Sequence, residues 1–295
     1  MGKTLVIGNA TGYTWDQVKY WVNSLKKTDY DGDIALCVSN ISNETIQKFN
    51  SEGILTFAYG NKQEDGSYTI PNDGTAPHVV RFFYMWLVLS KLSGYDHVIS
   101  TDVRDVIFQR NPAIEMPPGK NLVVSSEGMF YKDEPWGNRN LLEGYGPFFH
   151  NILKDKPIYN VGVIGGRYEH VKNLFLNIFL MSINRPIPVV DQASFNVIIH
   201  LMLQEEEILV NPSCWAIQLG TTPQAVLEGT AGDLAHLVRI GEITPDEYQS
   251  SYFGPLFTDF GGRVELSVSS KEFAVVHQWD RVPSLVEPIK SLYGA

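Results

Sequence analysis

The first sixty residues alternate between short apolar runs and amphipathic stretches. Their periodicity predicts strands over residues 4–7, 33–38 and 54–57. It also predicts one helix from Thr14 to about Lys26 and a second that follows the cap-like residues 40–43 and ends at Phe49. Strand–helix alternation of this kind indicates parallel strands joined by right-handed crossovers. Ligands of such sheets bind at the carboxyl ends of the strands, so the turn predicted at residues 8–13 lies at a candidate site.

The pattern continues as mixed α/β along the rest of the chain. Helices are predicted over residues 78–93, 170–183, 191–203 and 233–239. Strands are predicted over residues 97–100, 106–108, 121–125, 160–166, 207–210, 215–219, 263–267 and 273–276. We find no internal repeat or linker, which favours a single domain over residues 1–295 with two sub-lobes that divide near residue 112.

The stretch YDHVISTDVRDVIFQRNP, residues 95–112, contains the clearest candidate chemistry. Asp102 and Asp105 follow a buried strand, where carboxylates are costly without a partner charge. Mg2+ or Mn2+ is one such partner, since hard oxygen ligands suit both ions. Arg104 lies between the two carboxylates in sequence and is another possible partner charge. The residues alone therefore leave open a metal site and a structural Asp–Arg ion pair in a turn.

Composition narrows the functional classes. The chain is 44% hydrophobic and 19% charged, as expected of a globular protein with an ample core. Its net charge of 23 − 33 = −10 argues against a nucleic-acid partner, and an anionic ligand would need a cation or a local basic cluster. Two cysteines favour a reducing compartment, and no apolar run approaches the ~18 residues of a membrane helix. We therefore expect a cytoplasmic protein without a membrane span.

Several further residues have a structural and a functional interpretation. Arg81 belongs to a helix that leads into the acidic strand, where it could bind a ligand or form an ordinary ion pair. Asp191 could simply cap the helix that it opens. His277 ends a buried strand and could be a structural histidine or a metal ligand. Gly8 and Gly12 do not form a GxGxxG dinucleotide motif, and a turn that needs glycine explains both.

Four segments in one order resemble the GT-A-fold glycosyltransferases, enzymes with a DxD-type motif that use nucleotide sugars. The segments are VISTDVRDVIFQ, NVGVIGG, DQASFN and VVHQWDR, and the resemblance extends from about Leu5 to Arg281. It implies a GT-A-like fold with a mixed, mostly parallel central sheet flanked by helices. It also implies a nucleotide-binding lobe over residues 1–112 and an acceptor lobe over residues 113–295. The acidic motif departs from the family pattern, because it is D-V-R-D and either Arg104 or Asp105 fills the second acidic place.

The resemblance also implies roles for individual residues. Mn2+ (or Mg2+) would be held by Asp102, Asp105 and His277. The base, ribose, phosphates and sugar of the nucleotide sugar would contact Gly8, Asn9, Ala10, Thr11, Tyr13, Arg81, Asp102, Val103, Asn160 and Gly162. Asp191 and Gln192 would face the reacting sugar. Trp136, Tyr145 and Phe253 are candidates to stack on an acceptor sugar, or else are core residues.

The implied activity is metal-dependent transfer of a sugar from a nucleoside diphosphate, with UDP-sugar as the expected donor, to a glycan or glycoconjugate. Retention of the anomeric configuration is expected, because DQASFN resembles the helix start of several retaining enzymes. The alternative is inversion with Asp191 as the base. A metal-dependent phosphatase, a nucleotidyltransferase and a non-catalytic sugar-binding module are the competing classes. The first of these normally has its Asp motif near the N-terminus, and the second usually has a basic, Gly-rich loop there.

Overall fold

The computed structural model describes residues 2–70, 74–114, 116 and 119–295, apart from the side chain of Ser213. The strands are β1 (Thr4–Thr11), β2 (Asp33–Ser39), β3 (Leu55–Ala58), β4 (Asn61–Lys62), β5 (Tyr68–Thr69), β6 (His97–Thr101), β7 (Val106–Phe108), β8 (Leu122–Phe130), β9 (Pro157–Arg167), β10 (Ile208–Val210), β11 (Ala216–Gln218), β12 (Phe257–Phe260), β13 (Arg263–Leu266), β14 (Lys271–Glu272) and β15 (Val275–His277). The helices are α1 (Trp15–Lys26), α2 (Asn43–Ser51), α3 (Pro77–Lys91), α4 (Pro135–Leu153), α5 (Tyr168–Ser182), α6 (Asp191–Leu201), α7 (Pro223–Glu228), α8 (Asp233–Arg239), α9 (Pro245–Ser251) and α10 (Pro283–Tyr293).

Seven strands form the central sheet in the order β10-β8-β9-β6-β1-β2-β3. β3, β2, β1 and β6 pair in parallel, and so do β10 and β8. β9 runs antiparallel to both of its neighbours, β6 and β8. The predicted fold class, α/β with a mixed and mostly parallel central sheet, is confirmed.

Helices cover both faces of this sheet, because its strands are apolar on both sides. Leu5 and Ile7 of β1 belong to one apolar cluster, which includes residues of α3, α5 and α6. Val6 and Ala10 belong to a second cluster, with residues of α1 and α2. The core therefore lies in two layers, one on each side of the sheet. Within the described ranges, no helix is both long and apolar enough to cross a membrane.

A smaller sheet, β11-β15-β7, brings the acidic segment close to His277. β7 follows the acidic turn, and its Val106 pairs with His277 at the end of β15. Helix α1 holds both flanks of the turn from behind. Trp21 donates Nε1–H to Thr101 Oγ1 at 2.7 Å, and the backbone N–H of Phe108 donates to Ser24 Oγ at 3.0 Å.

Three of the differences from the prediction bear on the site. β1 does not end at Ile7, because residues 8–11 continue to pair with β2 and the predicted turn is a strand as far as Thr11. Helix α4 occupies a stretch whose glycines and proline concealed its periodicity, and its one non-helical residue is Gly146, with φ 77°. Val190 precedes α6 as its N-cap, so Asp191 is the first helical residue and not the cap.

Candidate active site

A cavity of about 660 Å³ opens where the parallel strands β1 and β6 end. This is the edge at which the sequence predicts a ligand site. The cavity brings together most of the predicted site residues, from widely separated parts of the chain. Those that line it are Asn9, Thr11, Tyr13, Arg81, Asp102, Val103, Asp105, Asn160, Gly162, Asp191, Gln192 and His277.

Gly8 and Ala10 do not line the cavity. Side chains alternate along β1, so Asn9 and Thr11 face the cavity whereas Ala10 is buried in the core. A Cβ atom on Gly8 would lie 2.3 Å from Val103 Cγ1. Gly8 thus lets the acidic turn pack directly against β1, which is a structural contribution to the site.

The edge of the cavity at β1 is a network of hydroxyl and amide groups. Asn9 Nδ2 donates to the hydroxyl of Tyr59 at 2.9 Å, and Thr11 Oγ1 donates to Asn9 Oδ1 at 2.9 Å. Thr11 Oγ1 also lies 2.8 Å from the Tyr59 hydroxyl and 3.2 Å from Ser39 Oγ. Sequence reasoning missed Ser39 and Tyr59. Both lie at the carboxyl ends of parallel strands, and that position was the signal that could have identified them.

Asp102, Asp105 and His277 form a compact cluster of ligand atoms. His277 Nε2 lies 3.5 Å from Asp102 Oδ2 and 3.7 Å from Asp105 Oδ2. Among the described residues, these three offer donor atoms that all lie within 4.8 Å of one another. Two carboxylate oxygens and one imidazole nitrogen make a donor set suited to Mn2+. Asp105, and not Arg104, joins Asp102 in this cluster.

Gln218 fixes the tautomer of His277. The Oε1 atom of Gln218 can only accept, so the hydrogen bond between it and His277 Nδ1 requires a proton on Nδ1. When the imidazole is neutral, Nε2 then carries the lone pair and faces the two aspartates. A histidine that ligates a metal commonly has its other nitrogen bound in this way.

The two aspartates differ in their electrostatic environment. Burial raises the pKa of Asp102, but the positive charges of Arg81 and His277 more than offset it and hold that pKa well below its usual range. Burial also raises the pKa of Asp105, where His277 offsets it only in part and the charge of Asp102 adds to it. The negative charge of Asp105 is thus only partly compensated, and a divalent cation would supply the remainder.

Arg81 is mostly buried, with 14% of its side chain exposed, and connects two parts of the cavity. One guanidinium nitrogen donates to Asp102 Oδ1, and Nη2 donates to Asp191 Oδ2 at 3.0 Å. The sequence had left open an Asp–Arg pair within the acidic turn. Asp102 pairs instead with Arg81, and the half-exposed Arg104 lies 3.9 Å from Asp280.

Glu127 joins the predicted residues Asn160 and Gln192, and sequence reasoning assigned it no role. Asn160 Nδ2 donates to Glu127 Oε1 at 2.8 Å, and Gln192 Nε2 donates to the same oxygen at 3.1 Å. Like Asp102, Glu127 is a carboxylate that follows a buried apolar run, and that pattern could have identified it.

Gly162 leaves room for the acidic turn. At Gly162, a Cβ atom would lie 2.7 Å from Asp102 Oδ2, so only glycine fits there.

The three candidate stacking residues lie in different environments. Trp136 lines the cavity. Tyr145 is buried and its hydroxyl lies 2.7 Å from Ser194 Oγ. Phe253 packs against Phe130, with ring centroids 4.7 Å apart. Of the three, Trp136 is the one that remains a candidate to contact a ligand in the cavity.

Comparison with known proteins places the fold. No family model matches the chain, and no curated protein matches it in sequence. Among solved structures, the bifunctional glycosyltransferase WbbM matches over 98% of this chain and 50% of its own, with 10% identity and a TM-score of 0.56. The galactosyltransferase LgtC, in complex with donor and acceptor sugar analogues, matches over 98% of this chain and 95% of its own, with 12% identity and a TM-score of 0.53. The chain has a GT-A-like glycosyltransferase fold.

The GT-A-like fold was the expectation drawn from the four sequence segments, and it is confirmed. At 10–12% identity the likeness concerns the fold alone. The chain spans half of the WbbM structure and nearly all of the LgtC structure. The chemistry must therefore be argued from the cavity itself.

Proposed function

We propose that the protein is a metal-dependent glycosyltransferase that moves a sugar from a nucleoside diphosphate, expected to be UDP, to a glycan or glycoconjugate. One observation carries the proposal. The ligand cluster of Asp102, Asp105 and His277 lines one cavity of a GT-A-like fold together with Arg81, which bridges two carboxylates, and with the amides of Asn160 and Gln192. A phosphatase that acts on a simple monoester would need the cluster but not the polar side chains of Asn160, Asp191 and Gln192 that line the same cavity.

The two ends of the cavity suggest how a nucleotide sugar would bind. Asn9, Thr11 and Tyr13 would contact the base and ribose from the lobe of residues 1–112. Trp136 would offer an aromatic surface to an acceptor sugar from the lobe of residues 113–295. In a chain of net charge −10, the pyrophosphate needs positive charge close by.

Asp102, Asp105 and His277 would hold the divalent cation. When bound, such an ion supplies positive charge to the pyrophosphate leaving group. Around it, the mostly buried guanidinium of Arg81 adds a fixed positive charge. The carboxylates are already in place, so little reorganisation is needed as negative charge develops.

The environment of Asp191 favours retention. An inverting enzyme needs a carboxylate free to take the proton of the acceptor hydroxyl. Asp191 is buried, and its Oδ2 atom forms an ion pair with Arg81 Nη2 at 3.0 Å. An ion-paired carboxylate is a weaker base than a free one. The adjacent Gln192 is uncharged and cannot act as a base. We therefore assign Asp191 to binding sugar hydroxyls and Gln192 to the anomeric face.

A panel of nucleotide sugars with Mn2+, scored for release of nucleoside diphosphate, tests the activity. EDTA should abolish turnover, Asp105→Ala should abolish it and Asp102→Ala should nearly do so. Asp155→Ala is the matched control, because Asp155 is an exposed aspartate that pairs with Lys132 outside the cavity. Full turnover in EDTA would exclude the metal role, and phosphate release from a simple monoester would favour a phosphatase.

Proton NMR of the first product tests the stereochemistry. The anomeric configuration of the donor should be retained. A product of opposite configuration would overturn the assignment and make Asp191 the base.

A further inference from the structure

Glu127 reaches the cavity because its strand is irregular. The pairing of β8 with β9 shifts register on either side of Ser125-Ser126. At Gly128 the backbone has φ 70°, and a Cβ atom there would lie 2.6 Å from the Cα atom of Gly254. Irregularities of this kind redirect a side chain that a regular strand would place elsewhere. The Glu127 side chain, 7% exposed, therefore lines the cavity.

One oxygen of Glu127 organises two amides. Asn160 Nδ2 and Gln192 Nε2 both donate to Oε1, at 2.8 and 3.1 Å. The amide oxygens turn the other way, towards backbone N–H groups of β9. Gly162 N donates to Asn160 Oδ1 at 2.7 Å, and Val161 N donates to Gln192 Oε1 at 3.4 Å.

Each amide thus has its nitrogen directed to a carboxylate and its oxygen directed to an N–H donor. Reversing either amide would place a carbonyl oxygen against the Glu127 oxygen and an N–H against a backbone N–H. Buried polar groups without partners are costly, so both orientations are fixed. All three side chains are at least nine-tenths buried, which leaves little water to replace a lost partner.

We propose that Glu127 is a positioning residue for glycosyl transfer, acting by fixing the carboxamide of Gln192, and with it Asn160, at the reacting sugar. The inference rests on the proposed function. Its basis is hydrogen-bond geometry and not the charge of Glu127. An uncharged group with one well-placed acceptor oxygen should therefore perform the same task.

Paired substitutions separate positioning from charge. In Glu127→Gln, the amide oxygen can still accept from both neighbours, and at least about a third of the wild-type kcat should remain. In Glu127→Ala both amides lose their anchor, and kcat should fall about 30- to 100-fold, because a misplacement near 1 Å is costly at a reacting centre. The Kd for UDP with Mn2+ should stay within about threefold in both variants, since Gln192 and Asn160 are assigned to the reacting sugar and UDP carries no sugar beyond its ribose.

The control is Glu207→Gln. Glu207 also accepts from an asparagine amide, Asn121 Nδ2 at 2.7 Å, but it does not line the cavity. This variant should keep wild-type kinetics. A double-mutant cycle with Gln192→Ala adds a second measure, because Glu127→Ala should cost much less in that background than alone.

Four outcomes would overturn the inference. Equal inactivity of Glu127→Gln and Glu127→Ala would show that the charge is needed, as in a base or nucleophile. Wild-type kcat in Glu127→Ala, with or without a lower Tm, would remove any role in turnover. Fully additive losses in the cycle would show that Glu127 does not act through Gln192. A change in KM or UDP affinity alone would assign it to binding. If the wild type releases no nucleoside diphosphate from any donor, the proposed function itself fails. That result is distinguishable from the four outcomes above, because each of them requires an active wild type.

Discussion

A single hydrogen bond determines which nitrogen of His277 faces the two aspartates. His277 Nδ1–H donates to Gln218 Oε1, and the pairing of β11 with β15 sets the two residues side by side in register. Without this acceptor the imidazole could rotate or change tautomer. The geometry of the ligand cluster therefore depends on a residue that contributes no ligand.

Replacing Gln218 with leucine should weaken Mn2+ binding by about 10- to 100-fold, because His277 loses the partner that orients it. Titration calorimetry with Mn2+ measures this. Gln224→Leu is the control, since Gln224 is a glutamine that bonds Ser284 at the surface. Unchanged Mn2+ affinity in Gln218→Leu would contradict the role of His277 as a ligand.

Glu134 should make stability depend on pH. Burial and the charge of Glu127 raise its pKa from 4.5 to about 7, although the backbone N–H groups of Gly137 and Trp136 lower it. The folded protein thus binds this proton more tightly than the unfolded chain. The stabilising contribution is full below pH 4.5 and is lost as the pH rises through 7.

Between pH 5 and 8 the free energy of unfolding should therefore fall further in the wild type than in Glu134→Gln, by up to about 3 kcal/mol. Urea unfolding at the two pH values provides the comparison. The other titrating groups are common to both proteins, so their contributions largely cancel; Glu127, whose charge acts on Glu134, is the exception. Parallel pH profiles would show that Glu134 titrates normally.

Single residues were identified from the sequence where a local pattern existed. Asp102, Asp191 and His277 stand at the ends or beginnings of apolar elements, and that position suggested each of them. The residues to which these side chains bind were not predictable in the same way. Arg81 pairs with residues 21 and 110 positions away, so its bonds depend on how α3, β6 and α6 meet.

At the scale of elements, β1 shows how pairing overrides local preference. Gly8 and Asn9 are poor strand formers and predict a turn. In the fold, residues 8–11 pair with β2 as far as Thr11 and Ser39, and this ladder outweighs the local preference. The consequence for the site is that side chains alternate at this edge, so that Gly8 and Ala10 of the predicted turn do not face the cavity.

Helix α1 should influence the proposed metal site through its contacts with the acidic turn. Trp21→Phe removes the bond to Thr101 Oγ1 and some buried volume, which should cost about 1–3 kcal/mol of unfolding free energy. We also expect weaker Mn2+ binding, because Thr101 directly precedes Asp102. Denaturant unfolding and calorimetry measure the two effects.

Trp15→Phe in the same helix is the control, since Trp15 is half-buried and its ring packs near Phe49. It should lose little stability and keep its Mn2+ affinity. If both variants bind Mn2+ like the wild type, the contact between α1 and the turn matters for stability alone.

At the scale of the whole molecule, metal binding should appear as thermal stabilisation. Mn2+ at a hundred times its Kd adds about 2.7 kcal/mol, which corresponds to about 4 °C in Tm for a protein of this size. Asp105→Ala should show a much smaller shift at the same concentration. A similar shift in both proteins would place the bound ion elsewhere.

The α/β class and the resemblance to GT-A enzymes followed from the order of elements and segments along the chain. The strand order did not, because periodicity does not show which strands become neighbours. β9 was predicted as a strand, yet its antiparallel place between β6 and β8 is a property of the assembled sheet. The same holds for the smaller sheet that carries His277 to the acidic turn.

The two hydrogen bonds from α1 to the flanks of the acidic turn also determine how the site unfolds locally. Trp21 holds the residue before Asp102, and Ser24 holds the backbone of Phe108 beyond Asp105. The turn lies between two fixed points on one helix, so it has no independent hinge. Its opening is tied to the undocking of α1, and the amide protons of both should exchange with solvent as one cooperative unit.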